Sequence, residues 1–245
     1  MVTEEKQDKV FMRDFFRKVG KAIYDYDLIA DEDRILVGVS GGKDSLALLE
    51  VLALRAKDPK QHYTVVAAHI DVENVEYEVD SEYLRSFCER LGVAYIHRTI
   101  RVDMEQNPKK PACFVCSWHR RKMLFDIAKE QHCGKLALGH HRDDAVESLL
   151  MSMIFNGTIS SMPARLEMFG HTFMIIRPLI YLGNAETLKY ATLRQFKQQK
   201  KYCPFEKATN RDAVGKIINQ LETLSPHVRN NLFAAMRNIQ TEYLP

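Results

Sequence analysis

No run of 18 or more apolar residues of the kind that crosses a membrane occurs in the 245-residue chain. Its opening residues, Met1-Val-Thr-Glu-Glu-Lys6, lack the apolar core of a secretory signal. The expectation is a cytoplasmic protein with no membrane association. An excess of one charge is also missing. Thirty-five Lys and Arg stand against 32 Asp and Glu, a net charge of +3, so total charge alone barely argues for a nucleic-acid partner. Cysteines number only five, an odd count in a chain long enough to need no covalent staples. That excludes a disulfide framework and leaves thiols or metal ligands. There is no internal repeat and no low-complexity segment.

The element order is legible from periodicity. Apolar positions at helical spacing (Val10, Phe11, Phe15, Phe16, Val19, Ile23) predict an amphipathic helix over about 9–28. A strand at Ile35–Val39, a helix from Ser45 to Leu54, a strand from Thr64 to Ile70 and a helix from Glu78 to Leu91 stopped by Gly92 follow. Further strands are expected at Tyr95–Ile100, Leu136–Leu138 and Phe173–Ile176. Helices are expected at Arg120–Gln131, Asp144–Phe155 and about Asn184–Gln199. Residues 212–243 read as two helices separated by Ser225-Pro226, the proline suiting the first turn of the second. Such βα alternation implies an α/β fold with a parallel sheet covered by helices on both faces and ligands at the carboxyl ends of its strands. The division expected is an N-terminal helical segment at 1–30, a nucleotide-binding domain at 31–205 and a C-terminal helical segment at 206–245. The last could cap the sheet, touch an RNA or pair two subunits as a homodimer.

Arg34-Ile-Leu-Val-Gly-Val-Ser-Gly-Gly-Lys-Asp-Ser45 runs a hydrophobic strand into a turn of small residues. Ser40, Gly41, Gly42, Lys43, Asp44 and Ser45 form the cradle of an anion site: glycines let successive N–H groups face a phosphate, and a following helix adds its positive end. The spacing is not that of a Walker loop, because Asp44 follows the lysine. Asp71 closes a strand expected beside this one. Gly139-His140-His141-Arg142-Asp143-Asp144 follows another apolar strand with two imidazoles, a guanidinium and adjacent carboxylates, a set costly to leave unpaired. Asp143 and Asp144 could hold Mg²⁺ on nucleotide phosphates or serve as helix N-caps.

Cys113-Phe-Val-Cys116 offers two thiols three apart, and Cys203 is the one distant cysteine in a loop-like basic context. Cys88 and Cys133 fall in or beside regular elements and read as buried small hydrophobes. Three cysteines suit a [4Fe-4S] cluster with one iron open; zinc completed by a histidine such as His119, and no metal at all, stay open on spacing alone. Lys109, Lys110, His119, Arg120, Arg121 and Lys122 surround the CxxC pair, and Lys197, Lys200 and Lys201 precede Cys203, so a locally basic face for RNA is expected despite the small net charge.

Together these motifs closely resemble the tRNA 2-thiocytidine synthetase family, within the PP-loop ATP pyrophosphatases (adenine nucleotide alpha hydrolase-like). The resemblance runs from about residue 30 to about 205. It rests on Ser40-Gly-Gly-Lys-Asp-Ser45, Asp71, Cys113-x-x-Cys116 with Arg120-Arg121, Gly139-His-His-Arg-Asp-Asp-Ala-Val-Glu147, Ser161-Met-Pro163, Arg177-Pro-Leu179 and Cys203. It implies a tRNA sulfurtransferase that uses ATP and Mg²⁺ to adenylate the C2 carbonyl of a tRNA cytidine, position 32 in that family, before sulfur replaces oxygen. It further implies a [4Fe-4S] cluster on Cys113, Cys116 and Cys203, ATP contacts from Ser40 to Ser45, Asp71, Gly139 and His140, and a cysteine desulfurase or other sulfur donor as partner. Lys43, Asp143 and Asp144 would be catalytic. Competing readings are a lysidine-type tRNA-adenylating ligase, which needs no cluster, and thiolation of another tRNA base; a zinc-bearing RNA-binding protein is a third.

Overall fold

The computed structural model describes residues 4–73, 79–103, 112–197 and 210–243. Six strands form one sheet: β1 (Arg34–Gly38), β2 (Thr64–Val72), β3 (Ala94–Ile100), β4 (Lys135–Ala137), β5 (Arg165–Met168) and β6 (Phe173–Ile176), in the order β3-β2-β1-β4-β6-β5. All neighbours are parallel except β5, which runs antiparallel to β6 at the edge. That edge strand has no counterpart in the sequence reading: Arg165-Leu-Glu-Met168 is only four residues long. Its two central residues, Leu166 and Glu167, are exposed and the outer two half-buried, so it carries no core-forming alternation to read.

Alternation within the central strand builds the two layers. Ile35 and Val37 face one core with Ala67, Ala137 and Ile176, where α1 (Glu4–Asp25), α2 (Lys43–Arg55), α3 (Ser81–Leu91) and α6 (Asn184–Leu193) pack. Leu36 faces the other with Val66, Ala68, Ile70 and Leu136, against Ile127 and Ala128 of α4 (Ala112–Glu130). In α2 every residue from Ser45 to Ala53 is buried, which pins the helix whose first turn carries the cradle. Glu50 on its inner side accepts hydrogen bonds from Tyr190 Oη (2.8 Å) and from Arg194 Nε (2.9 Å) and Nη2 (2.6 Å), satisfying a buried carboxylate and tying α2 to α6. Phe15 of α1 stacks on Tyr190 at 4.2 Å, so the N-terminal helix joins the same core.

The C-terminal helices are α7 (Asn210–Glu222) and α8 (Val228–Ala235). Val214 and Ile218 of α7 pack on Val146 of α5 (Arg142–Asn156). Pro226 precedes α8 rather than lying in its first turn, because His227 is the N-cap residue. The largest departure from the sequence reading is α4, which begins at Ala112 instead of Arg120. Its first half is Cys-Phe-Val-Cys-Ser-Trp-His-Arg-Arg, with Val115 its one buried residue, so no apolar stripe announces it. No helix among the described residues is long and apolar enough to cross a membrane.

Candidate active site

Strand β1 delivers the chain into Val39 and Ser40, and α2 begins at Lys43. Gly41 sits at φ 79°, a left-handed conformation that glycine adopts without steric cost, and Gly42 caps the helix with no side chain to occupy its first N–H groups. Ser45 closes the turn: its Oγ donates to Gly42 O at 2.8 Å and accepts from Ser40 N at 3.1 Å. What results is a ring of small residues around the positive end of a buried helix, a ready anion site. Lys43 Nζ lies 2.6 Å from Asp44 Oδ1 and donates to Thr187 Oγ1 at 3.1 Å, which holds the ammonium over the first turn of α2.

Gly139 ends the β4 turn against this helix. A Cβ there would lie 2.9 Å from both Asp44 C and Ser45 N, so the two strand-end loops interlock through a glycine. His140 follows, receives Arg177 Nε at 3.4 Å, and is pushed down to about 4 by burial, an effect reinforced by the charges of Arg177, Arg211 and Arg121 and opposed by Asp144. Arg177 is buried as well, donates to Pro163 O at 2.5 Å, and falls to about 10 through burial and the nearby charge of Arg121.

The N-cap of α5 is His141, not Asp143 or Asp144. Its Nδ1 accepts from Asp144 N at 3.4 Å while Asp144 Oδ2 accepts from His141 N at 2.9 Å, a reciprocal capping box. Asp143 is buried, takes Asn184 N at 2.8 Å and pairs with Arg142 at 3.2 Å; Asp144 pairs with Arg211 at 3.2 Å. Asp44, Asp143, Asp144 and Glu147 nonetheless line one open cavity of about 760 Å³, together with Arg211 and Arg229 from the C-terminal helices. Glu147 lies above the usual carboxylate range because burial outweighs the pull of Arg211. Hard carboxylate oxygens converging beside an anion cradle are the donor chemistry of a Mg²⁺–phosphate site.

Cys113 and Cys116 stand one turn apart at the start of α4, the first exposed and the second half-buried against Val72, Val102 and Val115. They therefore occupy a helix and not a loop. Soft thiol donors at that spacing fit an iron–sulfur group. Cys203, Lys109, Lys110, Lys200 and Lys201 lie outside the described residues. Cys88 and Cys133 are buried as expected, at 1% and 4% exposure, and burial raises both thiols, Cys88 to about 12. Directly after Cys116, Ser117, Arg120, Arg121 and Leu124 form one wall of a second cavity of about 300 Å³. Its other walls are Gly38, Val39, Ser40, Ala68, Ile70, Leu138 and His140. The phosphate loop, the His140 turn and the cysteine-bearing helix thus meet at one apolar slot with a cationic rim.

Asp71 lies one residue before the end of β2 at Val72, and both its oxygens are engaged by histidines, His69 Nε2 at 2.8 Å and His97 Nε2 at 2.5 Å. Burial pushes its carboxyl up, yet the two histidines outweigh that and hold it below the usual range. His69, His97, Arg211 and Arg229 are site residues that sequence reasoning did not single out, and Arg177 entered it only within the Arg177-Pro-Leu179 motif. For the histidines a signal existed: His69 and Asp71 are two apart on a strand and so share a face. For Arg211 and Arg229 there was none, since only folding brings 211–229 back to α5.

Residues 11–215 match the PP-loop domain family. The chain is 36% identical over 236 residues to the tRNA-cytidine(32) 2-sulfurtransferase of Sorangium cellulosum, covering 95% of this chain and 83% of that one. It is 34% identical over 242 residues to the tRNA-cytidine(32) 2-sulfurtransferase 1 of Francisella tularensis, covering 97% and 90%. Among solved structures it is similar to the U34-tRNA thiolase NcsA from Methanococcus maripaludis with its [4Fe-4S] cluster: TM-score 0.77, 25% identity, 96% of this chain and 80% of that one. The NH3-dependent NAD synthetase of Campylobacter jejuni shares the fold at TM-score 0.53 and 15% identity, covering 95% and 94%. With most of its length matched at this identity, and with the cradle, the carboxylates and the cysteine helix assembled at the carboxyl ends of the central strands, the chain belongs to the PP-loop family and, within it, to the tRNA-cytidine(32) 2-sulfurtransferases.

Proposed function

We propose that this protein thiolates a tRNA cytidine, at position 32 as its relatives' names state, by ATP-dependent activation of the C2 carbonyl oxygen. The observation that carries this reading is the 300 Å³ slot, because Ser40, His140 and the Arg120–Arg121 pair beside Cys116 line it together. An enzyme that adenylates a base and then delivers sulfur needs those parts within one reach.

ATP lies with its phosphates on Ser40, Gly41, Gly42, Lys43, Asp44 and Ser45, Gly139 giving the room for that loop and Asp71 helping to place the nucleotide from the neighbouring strand end. Attack of the C2 oxygen on the α-phosphorus expels pyrophosphate, whose growing charge Lys43 and the helix end stabilise. Asp143 and Asp144 would hold Mg²⁺, which spreads charge on the phosphate oxygens. Sulfur at the sulfide level then adds at C2 and AMP leaves, a far better leaving group than a carbonyl oxygen. Neutral His140, whose Nδ1 accepts from Arg177, lines the slot and can donate a hydrogen bond from its other ring nitrogen without adding charge there.

Cys113, Cys116 and Cys203 would hold a [4Fe-4S] cluster, which supplies an iron open to sulfur. A tRNA loop fits the substrate role, since an anticodon-loop base can be splayed into a slot while Arg120, Arg121 and Lys122 meet phosphates. The sulfur comes from a cysteine desulfurase or other sulfur donor, the compartment is the cytoplasm, and α7 and α8 are available for a second subunit. The test is anaerobic reconstitution with ATP, Mg²⁺, a sulfide source and tRNA, followed by nucleoside mass spectrometry. Two-thiocytidine with stoichiometric pyrophosphate is expected from a brown, iron-containing preparation. Pyrophosphate release with amine incorporation and no iron would instead establish the lysidine-type ligase.

A further inference from the structure

One cluster, which shares Asp71 with the nucleotide site proposed above, has the composition of a metal site. His69 and Asp71 share a face of β2, and His97 stands directly opposite His69 on β3. The three ligand atoms lie within 4.8 Å of one another. His69 is completely buried, and its Nδ1 sits 2.6 Å from Val39 O. A carbonyl only accepts, so Nδ1 carries the ring proton. The other nitrogen, Nε2, then points a lone pair at Asp71 Oδ1, an ionised oxygen that also only accepts. Two acceptors facing each other at 2.8 Å require a cation between them: a second proton on the buried ring, or a metal ion.

The surroundings favour the ion. A ring nitrogen donating to a backbone carbonyl while its partner nitrogen faces carboxylate and imidazole is the arrangement that orients metal-bound histidines. Asp71 and His97 are one-quarter to one-third exposed at their side chains, so the cluster opens to solvent on one side while His69 closes it on the other. An ion could enter there and keep a water or substrate ligand, as three-ligand sites do. Tetrahedral coordination at ~2.0–2.1 Å places ligand atoms roughly 3.3 Å apart, so Asp71 need back away from each ring by roughly 0.5–0.8 Å.

We propose that His69 Nε2, Asp71 and His97 Nε2 bind one divalent transition-metal ion of the zinc type, at a site distinct from the cysteines and from the Asp143–Asp144 carboxylates. Two imidazoles and one carboxylate suit zinc or ferrous iron and do not suit Mg²⁺. The ion's place explains what it would do. Val39 immediately precedes Ser40, so the hydrogen bond from His69 links the site to the backbone that enters the phosphate loop. A metal on the far side of that imidazole braces the turn.

The test is zinc binding to the full chain, read independently of tRNA modification. Cluster-loaded wild-type protein, incubated with zinc chloride and desalted, should retain one zinc per chain beyond its iron; Mg²⁺ at equal concentration should not compete. The Cys113→Ala/Cys116→Ala/Cys203→Ala variant should retain the same zinc and, with Co²⁺, show d–d absorption without the thiolate charge-transfer bands of a cysteine site. His97→Ala and Asp71→Asn should each weaken zinc retention by at least about tenfold. Because His97 is partly exposed, its variant should fold, which far-ultraviolet dichroism checks. Absence of zinc from both the wild type and the cysteine variant overturns the proposal and leaves a buried imidazolium on Asp71. So does undiminished zinc in folded His97→Ala. Loss of zinc only in the cysteine variant would assign it to the thiols and equally refute the site. None of these outcomes depends on whether the protein thiolates RNA.

Discussion

Adding one methyl group at Gly139 should separate catalysis from folding more cleanly than removing any charged residue. The Cβ of Gly139→Ala would meet Asp44 C and Ser45 N at 2.9 Å and Asp44 O at 3.0 Å, and all three are backbone atoms. Ordinary contact begins near 3.4 Å, so the first turn of α2 and the β4 turn must part by at least about 0.5 Å. Retreat of α2 is resisted by Leu46, Ala47, Leu48 and Leu49, all fully buried behind it. Overpacking of this kind costs about 1–3 kcal/mol, which for a chain of this size lowers Tm by roughly 2–12 °C. The displaced atoms are those of the phosphate cradle, and misplacement of the order of 1 Å can cost about 10²-fold in rate. Gly139→Ala should therefore fold, melt several degrees lower, and release pyrophosphate at least about tenfold more slowly at saturating ATP. Gly134→Ala is the control: nothing lies within 4 Å of its Cβ and it has no positive φ, so its stability should stay within about 0.5 kcal/mol of wild type. Calorimetry and a coupled pyrophosphate assay on both variants decide the matter. Wild-type turnover and Tm in Gly139→Ala would show that the interlock of the two loops does not position the cradle.

Lys43→Ala should abolish pyrophosphate release while leaving iron content and Tm near wild type, because among the described residues its ammonium bonds to Asp44 and Thr187 at the loop; near-normal single-turnover thiolation would remove it from the phosphate site. Cys113→Ala, Cys116→Ala and Cys203→Ala should each lose iron and acid-labile sulfide, whereas Cys88→Ala and Cys133→Ala, buried at 1% and 4% exposure, should keep iron and lose stability. Replacing Arg120 and Arg121 together by Gln should flatten the dependence of log tRNA affinity on log salt by a slope of about 1 per lost phosphate contact; an unchanged slope in the folded variant would move the RNA path toward α7 and α8. His140 gives a pH signature. Its folded value of about 4 lies below the ordinary histidine value of 6.5, so the unfolded chain binds the extra proton and stability falls as pH drops from 6.5 toward 4, by on the order of 3 kcal/mol at the acid end. Urea midpoints measured between those pH values should show a shallower loss in His140→Gln, and an identical pH slope would contradict the burial of a neutral ring.

The order of the elements other than β5 and the phosphate cradle were determined by local sequence, because each is written within a dozen residues, and the βα alternation carried the parallel pairing of the other strands. A β-branched run followed by Ser40-Gly-Gly-Lys-Asp-Ser45 permits few other conformations, and the continuous apolar runs of β1 and β2 mark strands buried on both faces. Cys88 and Cys133 were legible for the same reason. The start of α4 was not, since Cys113 to Arg121 lacks an apolar stripe and becomes helical by docking Val115 on Val72 and Val102. Nor could sequence show that His141 caps α5, that Asp143 and Asp144 are tied to Arg142 and Arg211, or that His97 faces Asp71 across a strand pair. Those contacts depend on register and on long-range return of the chain, which no periodicity encodes. Tertiary structure alone decided that the loop at Ser40, the imidazole at 140 and the helix carrying Cys116 line one slot, because the strand order sets β2, β1 and β4 side by side with their carboxyl ends together.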